Sequence, residues 1–220
     1  MNATNLKRIS FLTYALERVF FVLQYTSIAN IFFGTRSQKM EDVEAVTIKR
    51  ARRIEIYFLV WLSIDIACAF IVASHAQSLV SVAAWLSMFH VFEICQTAIN
   101  IAIFDTLRIS GRPHFMASLA RTLILSAANF VQICICFATF YAAHPHAFKD
   151  TLATWSDAFY FSAATQLTVG YGDILPIGSF RLVAASQAFI GFFFAIAVLG
   201  RFISFLPGTP SVMGDDNRMA

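Results

Sequence analysis

Long apolar runs alternate with short polar segments along this chain of 220 residues. Four runs hold at most two charged residues each: residues 54–74, 79–104, 122–143 and 180–205. At a rise of 1.5 Å per residue, about 20 helical residues cross the hydrocarbon core of a membrane. The pattern therefore predicts four transmembrane helices and an all-α membrane protein.

A fifth apolar stretch, residues 9–33, is amphipathic. Its polar residues fall on one helical stripe, which favours a helix that lies in the membrane interface. The alternative is a spanning helix whose polar stripe is buried in protein, which would give a fifth crossing.

Composition supports a membrane location, and the distribution of charge gives an orientation. Apolar residues form 58% of the chain and charged residues 13%, against about 25% charged in soluble domains. The net charge of +3 is too small to indicate nucleic-acid binding. Lysine and arginine concentrate in residues 34–53 and 105–121, which the positive-inside trend places in the cytoplasm. We therefore expect a multi-pass protein of the cell (inner) membrane with a cytoplasmic C-terminus.

Basic residues at positions 49–53 lie next to the first predicted span. They would allow contact with anionic lipid headgroups. Anchoring by the positive-inside trend explains them equally well.

The segment between the last two spans contains the sequence Thr-Val-Gly-Tyr-Gly-Asp at residues 168–173. Its two glycines alternate with larger residues, and glycine adopts positive φ at no steric cost. Such a backbone can point successive carbonyl groups to one side. Four copies around an axis would then offer stacked rings of oxygen atoms, which can replace the hydration shell of a monovalent cation.

This motif resembles the selectivity filter of the tetrameric potassium channels. Upstream, Asp157, Thr165 and Thr168 keep the spacing of that family's pore helix and filter entrance. Thr154 and Asp157 form a capping-box-like pair that predicts a short, re-entrant helix over residues 155–166. The resemblance covers residues 122–206, and the extra helices before it are similar to small prokaryotic channels of the two-transmembrane pore superfamily.

The resemblance implies a role for each matching residue. The residues implied to coordinate K⁺ are Thr168, Val169, Gly170, Tyr171 and Gly172, and those implied to support the filter are Asp173, Tyr160 and Thr165. Gly191 resembles the hinge glycine of the inner helix, although close helix packing explains a glycine there equally well. Helical spacing after Gly191 places Phe192, Ala195 and Leu199 in the inner vestibule.

Three positions depart from the family pattern. Leu167 stands where a second threonine is usual, Phe161 replaces the second aromatic donor of the pore helix, and Ala164 stands where some members have a glutamate. Residues 168–172 are intact, so we expect selectivity to survive, with Tyr160 donating a hydrogen bond to Asp173.

Asp65, His90 and Glu93 are ionisable residues inside predicted spans. Their positions on two antiparallel helices predict a similar depth, and intramembrane ionisable groups are candidates for function. One interpretation is a protonation or metal site that tunes gating. The favoured alternative is a hydrogen-bonded cluster that holds the helices together.

The resemblance implies a K⁺-selective channel that is a homotetramer, with K⁺ as the permeant ion and no cofactor. None of the predicted spans repeats a basic residue at every third position, which argues against an S4-type voltage sensor. The chain also lacks the common hydrolase and phosphate-binding motifs, so an enzyme is not expected. The alternatives are a weakly selective monovalent cation channel and a non-conducting sensor or accessory subunit.

These expectations divide the chain into four regions. Residues 1–53 form an amphipathic helix and a basic cytoplasmic segment, and residues 54–121 form a two-helix membrane domain with a cytoplasmic loop. Residues 122–206 form the pore domain, and residues 207–220 form a short cytoplasmic tail.

Overall fold

The structure, a computed structural model, describes residues 43–74, 77–99, 119–150 and 152–204. The predicted amphipathic helix at residues 9–33, most of the loop at residues 105–121 and the tail at residues 207–220 lie outside the described residues.

Five α-helices and no β-strand occur in the described residues, which confirms an all-α protein. The helices are α1 (Val43–Ala73), α2 (Gln77–Ile99), α3 (Leu119–Ala142), α4 (Trp155–Gln166) and α5 (Phe180–Ser204). A single 3-10 turn, Pro145–Ala147, follows α3. An isolated bridge between Phe148 and Pro176 then ties the segment before α4 to the segment after the motif.

Four of these helices are long and apolar enough to cross a membrane, as the sequence predicts. Their candidate spans are Arg52–Ala73, Ser78–Ile99, Leu123–Ala142 and Phe180–Gly200. Each agrees with a predicted span to within a few residues.

Helix α1 begins before the first predicted span. It starts at Val43 and runs through the basic residues into the span without a break. Residues 43–53 contain no glycine or proline and are rich in alanine, glutamate, lysine and arginine. These residues are strong helix formers, so the helix continues beyond the apolar run.

Helix α3 lies at the centre of the bundle and packs against α1, α2, α4 and α5. Arg121 near its start donates from Nε to Glu55 Oε1 in α1 at 2.8 Å. This pair is partly exposed and stabilises the protein little. It nevertheless brings the first turns of the first and third spans to the same side of the bundle, as the predicted topology requires.

Aromatic rings connect α3 to both α4 and α5. Tyr141 of α3 meets Phe161 of α4 edge-on, with ring centroids 5.1 Å apart. Phe148 meets the same Phe161 ring at 5.1 Å and Tyr141 at 5.7 Å. Phe180 at the start of α5 stacks on Phe140 at 5.6 Å. Edge-to-face pairs of this kind add about 0.5–1.5 kcal/mol each beyond their buried area, so the cluster fixes α4 against its neighbours.

Candidate functional site

Helix α4 begins at residue 155 because of a local hydrogen-bonding signal. The Thr154 hydroxyl accepts from the Asp157 backbone N–H at 3.2 Å, and the Asp157 carboxylate accepts from the Thr154 backbone N–H at 2.9 Å. This reciprocal pair is the predicted capping box, and it satisfies two N–H groups that a helix start leaves unpaired.

Helix α4 ends at the middle depth of the bundle. It has 12 residues, which gives about 18 Å, too short to cross a membrane. Gln166, its last residue, donates from Nε2 to the Phe130 carbonyl of α3 at 2.6 Å. Phe130 lies about 10 Å along α3 from the start of its span at Leu123. The predicted re-entrant helix is therefore present, and the segment after it begins inside the membrane.

The end of α4 places Thr168 in a left-handed conformation. The Val169 N–H donates to the Ala164 carbonyl at 2.8 Å, and the Thr168 N–H donates to the Thr165 carbonyl at 3.1 Å. These two bonds form a Schellman motif, in which the residue that leaves the helix has positive φ and is usually glycine. Thr168 occupies that position with φ of 57°. A strained, non-glycine residue of this kind is typical of functional sites.

Positive φ values recur at every second residue of the motif. Thr168, Gly170 and Gly172 have φ of 57°, 60° and 78°. The alternation that the glycine spacing predicts is therefore confirmed. The Thr168 hydroxyl donates to the Leu167 carbonyl at 2.7 Å.

The whole motif lies on the surface of the single chain. Residues 167–173 are all exposed, and Tyr171 is 70% exposed. Non-helical backbone at membrane depth is stable only when other protein covers it or when it lines a water-filled path. The geometry therefore requires a neighbour or an aqueous pathway on this side of the chain.

Tyr160 supports the outer end of the motif. Its ring stacks on that of Tyr171 with centroids 6.0 Å apart and planes 9° from parallel. The hydrogen bond that Tyr160 donates to Asp173 raises the pKa of Tyr160 above its usual value, with smaller contributions from burial and from neighbouring charge. Tyr160 therefore lies near Asp173, and its role in supporting the filter stays a prediction.

A cavity of about 120 Å³ lies between α4 and the motif. Its lining includes Phe161, Ala164 and Thr165, together with Gly170 and Tyr171. Phe161 offers no hydrogen bond to the motif and instead packs in the aromatic cluster around Tyr141. The Ala164 side chain provides only a methyl group, so support by side chains from behind the motif is sparse among the described residues, although the Ala164 carbonyl accepts from the Val169 and Gly170 N–H groups.

A buried polar network, absent from the sequence predictions, holds α4 between α3 and α5. Gln187 of α5 donates from Nε2 to the Ser162 carbonyl at 3.0 Å, to the Ser162 hydroxyl at 2.7 Å and to Gln166 Oε1 at 3.2 Å. Its Oε1 accepts from the Tyr141 hydroxyl of α3 at 2.9 Å. Ser162 in turn donates to the Cys134 carbonyl at 2.8 Å. The feature of the sequence that could have revealed this network was an isolated glutamine within each of two apolar helices.

Replacing Gln187 by Leu is expected to destabilise the protein. The change leaves the Tyr141 hydroxyl and Gln166 Oε1 without this partner, at a cost of roughly 1–3 kcal/mol for each buried group left unpaired. The measurement is thermal unfolding of the purified protein in detergent. Ser186→Ala is the matched control because the Ser186 hydroxyl is exposed and bonds only to its own helix, at Leu182. Equal unfolding midpoints for the two variants would contradict the proposed role of the network.

Gly191 lies against the C-terminal end of α4. A Cβ atom at this position would lie 2.5 Å from the Gln166 carbonyl oxygen. Gly191 is therefore packed closely against the end of α4, as the alternative interpretation expects, while its role as a hinge stays a prediction. Phe192, Ala195 and Leu199 are exposed on the single chain, and their place in an inner vestibule also stays a prediction.

The three intramembrane ionisable residues divide between two sites. His90 Nδ1 lies 2.9 Å from Asp65 Oδ2, and both side chains are buried. Glu93 accepts a hydrogen bond from Tyr57 at 2.9 Å, one turn further along α2. Instead of Glu93, Cys136 of α3 joins Asp65 and His90, with ligand atoms within 4.8 Å of one another. Sequence reasoning missed Cys136 because it considered only the two adjacent helices.

Comparison with known proteins finds similarity in the region around the motif. Residues 130–207 match the family model described as ion channel. Protein LctB of Bacillus caldotenax is 40% identical over 53 residues, which are 24% of this chain and 40% of that protein. Protein LctB of Geobacillus stearothermophilus is 35% identical over 52 residues, 24% of this chain and 39% of that protein.

The match to these relatives thus spans about two fifths of their length. No solved structure matches the chain. The family match covers α4, α5, the motif and much of α3, and four apolar helices lie in the described residues. The chain is therefore a multi-pass membrane protein whose residues 130–207 match the ion channel family model.

Proposed function

We propose that this protein conducts K⁺ passively through a homotetrameric pore, with residues 168–172 as its selectivity filter. The observation that carries the proposal is the position of the motif. It is non-helical backbone at the end of a re-entrant helix, at the middle depth of the bundle, and exposed on the single chain. Lipid cannot satisfy such a backbone, whereas three further copies and a cation that has shed its water can.

In a tetramer the alternating backbone would present rings of oxygen atoms to the pore axis. Thr168, Val169, Gly170, Tyr171 and Gly172 would then replace the hydration shell of K⁺ in successive rings. Each chain supplies a quarter of every ring, so the site is incomplete in a monomer. The C-terminal end of α4 leads directly into the filter, and its negative partial charge favours a cation there.

Two further regions complete the proposed pathway. Asp173, next to Tyr160, would brace the outer mouth. Thr165 would support the inner end, because its carbonyl accepts a hydrogen bond from the Thr168 N–H. The exposed side chains of Phe192, Ala195 and Leu199 on α5 would line an apolar inner vestibule. K⁺ is the permeant ion, and the proposal needs no cofactor and no enzymatic step.

The orientation follows from charge. We place the starts of α1 and α3 on the cytoplasmic side of the cell membrane, where Arg121 pairs with Glu55. The C-terminus is then also cytoplasmic, because α3 crosses the membrane outward, the short α4 does not cross it, and α5 crosses back. Basic residues early in α1 would lie at the level of anionic lipid headgroups.

Ion flux from proteoliposomes tests the proposal. The purified full chain is expected to release K⁺ much faster than Na⁺, and Ba²⁺ is expected to block the flux. Crosslinking in the same membranes is expected to give a tetramer.

The other outcomes separate the alternatives. Similar K⁺ and Na⁺ rates would identify a weakly selective cation channel, which the sparse support behind the filter would explain. A stable tetramer without flux across the full range of pH and voltage would identify a non-conducting relative.

A further inference from the structure

Three potential metal ligands from three helices meet at one buried point. Asp65 comes from α1, His90 from α2 and Cys136 from α3. The Asp65 and His90 side chains are 1% and 2% exposed, and Cys136 is fully buried. None of the three belongs to the proposed conduction pathway.

The distances between their ligand atoms are close to the distances between neighbouring ligands in a tetrahedral zinc site. His90 Nδ1 is 2.9 Å from Asp65 Oδ2 and 3.0 Å from Oδ1. Cys136 Sγ is 3.4 Å from Asp65 Oδ1 and 3.8 Å from His90 Nδ1. Around a tetrahedral Zn²⁺ with ordinary bond lengths, nitrogen and oxygen ligands are about 3.3–3.5 Å apart, and sulfur is about 3.5–3.7 Å from either. Movements of a few tenths of an ångström would therefore admit the ion.

The neighbouring Gln132 offers a fourth ligand. Its Nε2 donates to Asp65 Oδ2 at 3.3 Å. Its Oε1 is buried and has no hydrogen-bond partner among the described residues. A half-turn of the terminal amide exchanges these two atoms, which would direct the unpaired oxygen at an ion bound to Asp65.

The remaining contacts hold the ligands in place. Trp61 stacks on the His90 ring with centroids 4.1 Å apart and planes 6° from parallel. A ligand whose orientation is fixed before binding loses less freedom when the metal arrives.

Charge also favours a divalent ion at this depth. One carboxylate and one thiolate neutralise Zn²⁺, so the occupied site has no net charge inside the membrane. Binding displaces the proton of the Cys136 thiol, because the thiolate is the form that binds a metal. An occupied site without net charge avoids the cost of an uncompensated buried charge.

We propose that Asp65, His90 and Cys136 bind Zn²⁺, with the Gln132 amide oxygen completing the tetrahedral site. A nitrogen, a sulfur and oxygen donors together suit zinc better than the hard cations Mg²⁺ and Ca²⁺. The ion would join α1 and α2 to α3, the helix that also packs against the pore helix.

Metal analysis of the full-length protein in detergent tests this proposal. After incubation with ZnSO₄ and gel filtration, the wild type is expected to hold about one Zn²⁺ per chain. Cys136→Ser and His90→Gln are expected to hold at least tenfold less. Cys134→Ser is the matched control, since Cys134 is a buried thiol on the same helix outside the three-ligand group, and it is expected to bind as the wild type does.

A second measurement uses Co²⁺ on the wild type and does not depend on the folding of any variant. We expect a thiolate-to-cobalt charge-transfer band and the intense visible bands of a tetrahedral site. A wild type without bound zinc or without the cobalt band would overturn the proposal, as would equal zinc in Cys136→Ser and Cys134→Ser. Neither measurement involves ion flux, so failure here and failure of the proposed channel function are distinguishable.

Discussion

Replacing Gly170 by Ala is expected to abolish K⁺ flux while leaving the protein folded. Gly170 has φ of 60°, a conformation that disfavours a side chain, and a Cβ there would meet no atom of the described chain within 4 Å. The effect is therefore conformational. A left-handed residue other than glycine costs about 1–2 kcal/mol, or about 4–8 kcal/mol over four copies in one ring. Leaving that conformation would turn the neighbouring carbonyl groups away from the proposed pore axis.

Gly200→Ala is the control for this prediction. Gly200 lies in α5, and a Cβ there also meets nothing within 4 Å, but its φ is not positive. The K⁺ flux through the Gly200 variant should equal that of the wild type in the same proteoliposomes. If Gly170→Ala kept its full selectivity for K⁺, residues 168–172 would not be the selectivity filter.

The sequence predicted those helices whose positions depend on residues close together in the chain. The bounds of α4 follow from Thr154 and Asp157, because the capping box lies within the helix start itself. The four spans follow from the length of apolar runs. Hydropathy alone does not mark the start of α1, because the apolar run begins at the span, whereas good helix formers extend the helix through the charged positions before it.

The geometry of the candidate site was predicted only where it depends on one continuous segment of the chain. Glycine spacing predicted the alternating φ values, but the left-handed Thr168 depends on how α4 ends, and threonine gives no signal for that position. Gln187 bonds to Tyr141, Ser162 and Gln166 across three helices. Which residues meet there depends on how each helix is rotated about its own axis, which nearly uniform apolar sequences do not specify. The same reason explains why Cys136, and not Glu93, joins Asp65 and His90.

Replacing Gly191 by Ala is expected to destabilise the pore domain and to abolish flux. The added Cβ would lie 2.5 Å from the Gln166 carbonyl oxygen, 2.9 Å from Gln166 Cγ and 3.2 Å from the Gln166 carbonyl carbon. Two of these atoms are backbone at the end of α4, so a change of side-chain rotamer cannot relieve the contact. Overpacking of this kind costs roughly 1–3 kcal/mol. Any shift of α4 that relieves it also displaces residues 168–173, which follow directly.

The same variant distinguishes close packing from a hinge. If Gly191 serves only to bend α5, alanine should strengthen the helix by about 1 kcal/mol and alter gating in a protein that stays folded. If Gly191 serves close packing, the unfolding midpoint in detergent should fall together with K⁺ flux. Gly200→Ala again provides the comparison, because it makes the same change in the same helix where a Cβ has open space. A Gly191→Ala protein as stable as Gly200→Ala would contradict the packing role and leave bending as the reason for the glycine.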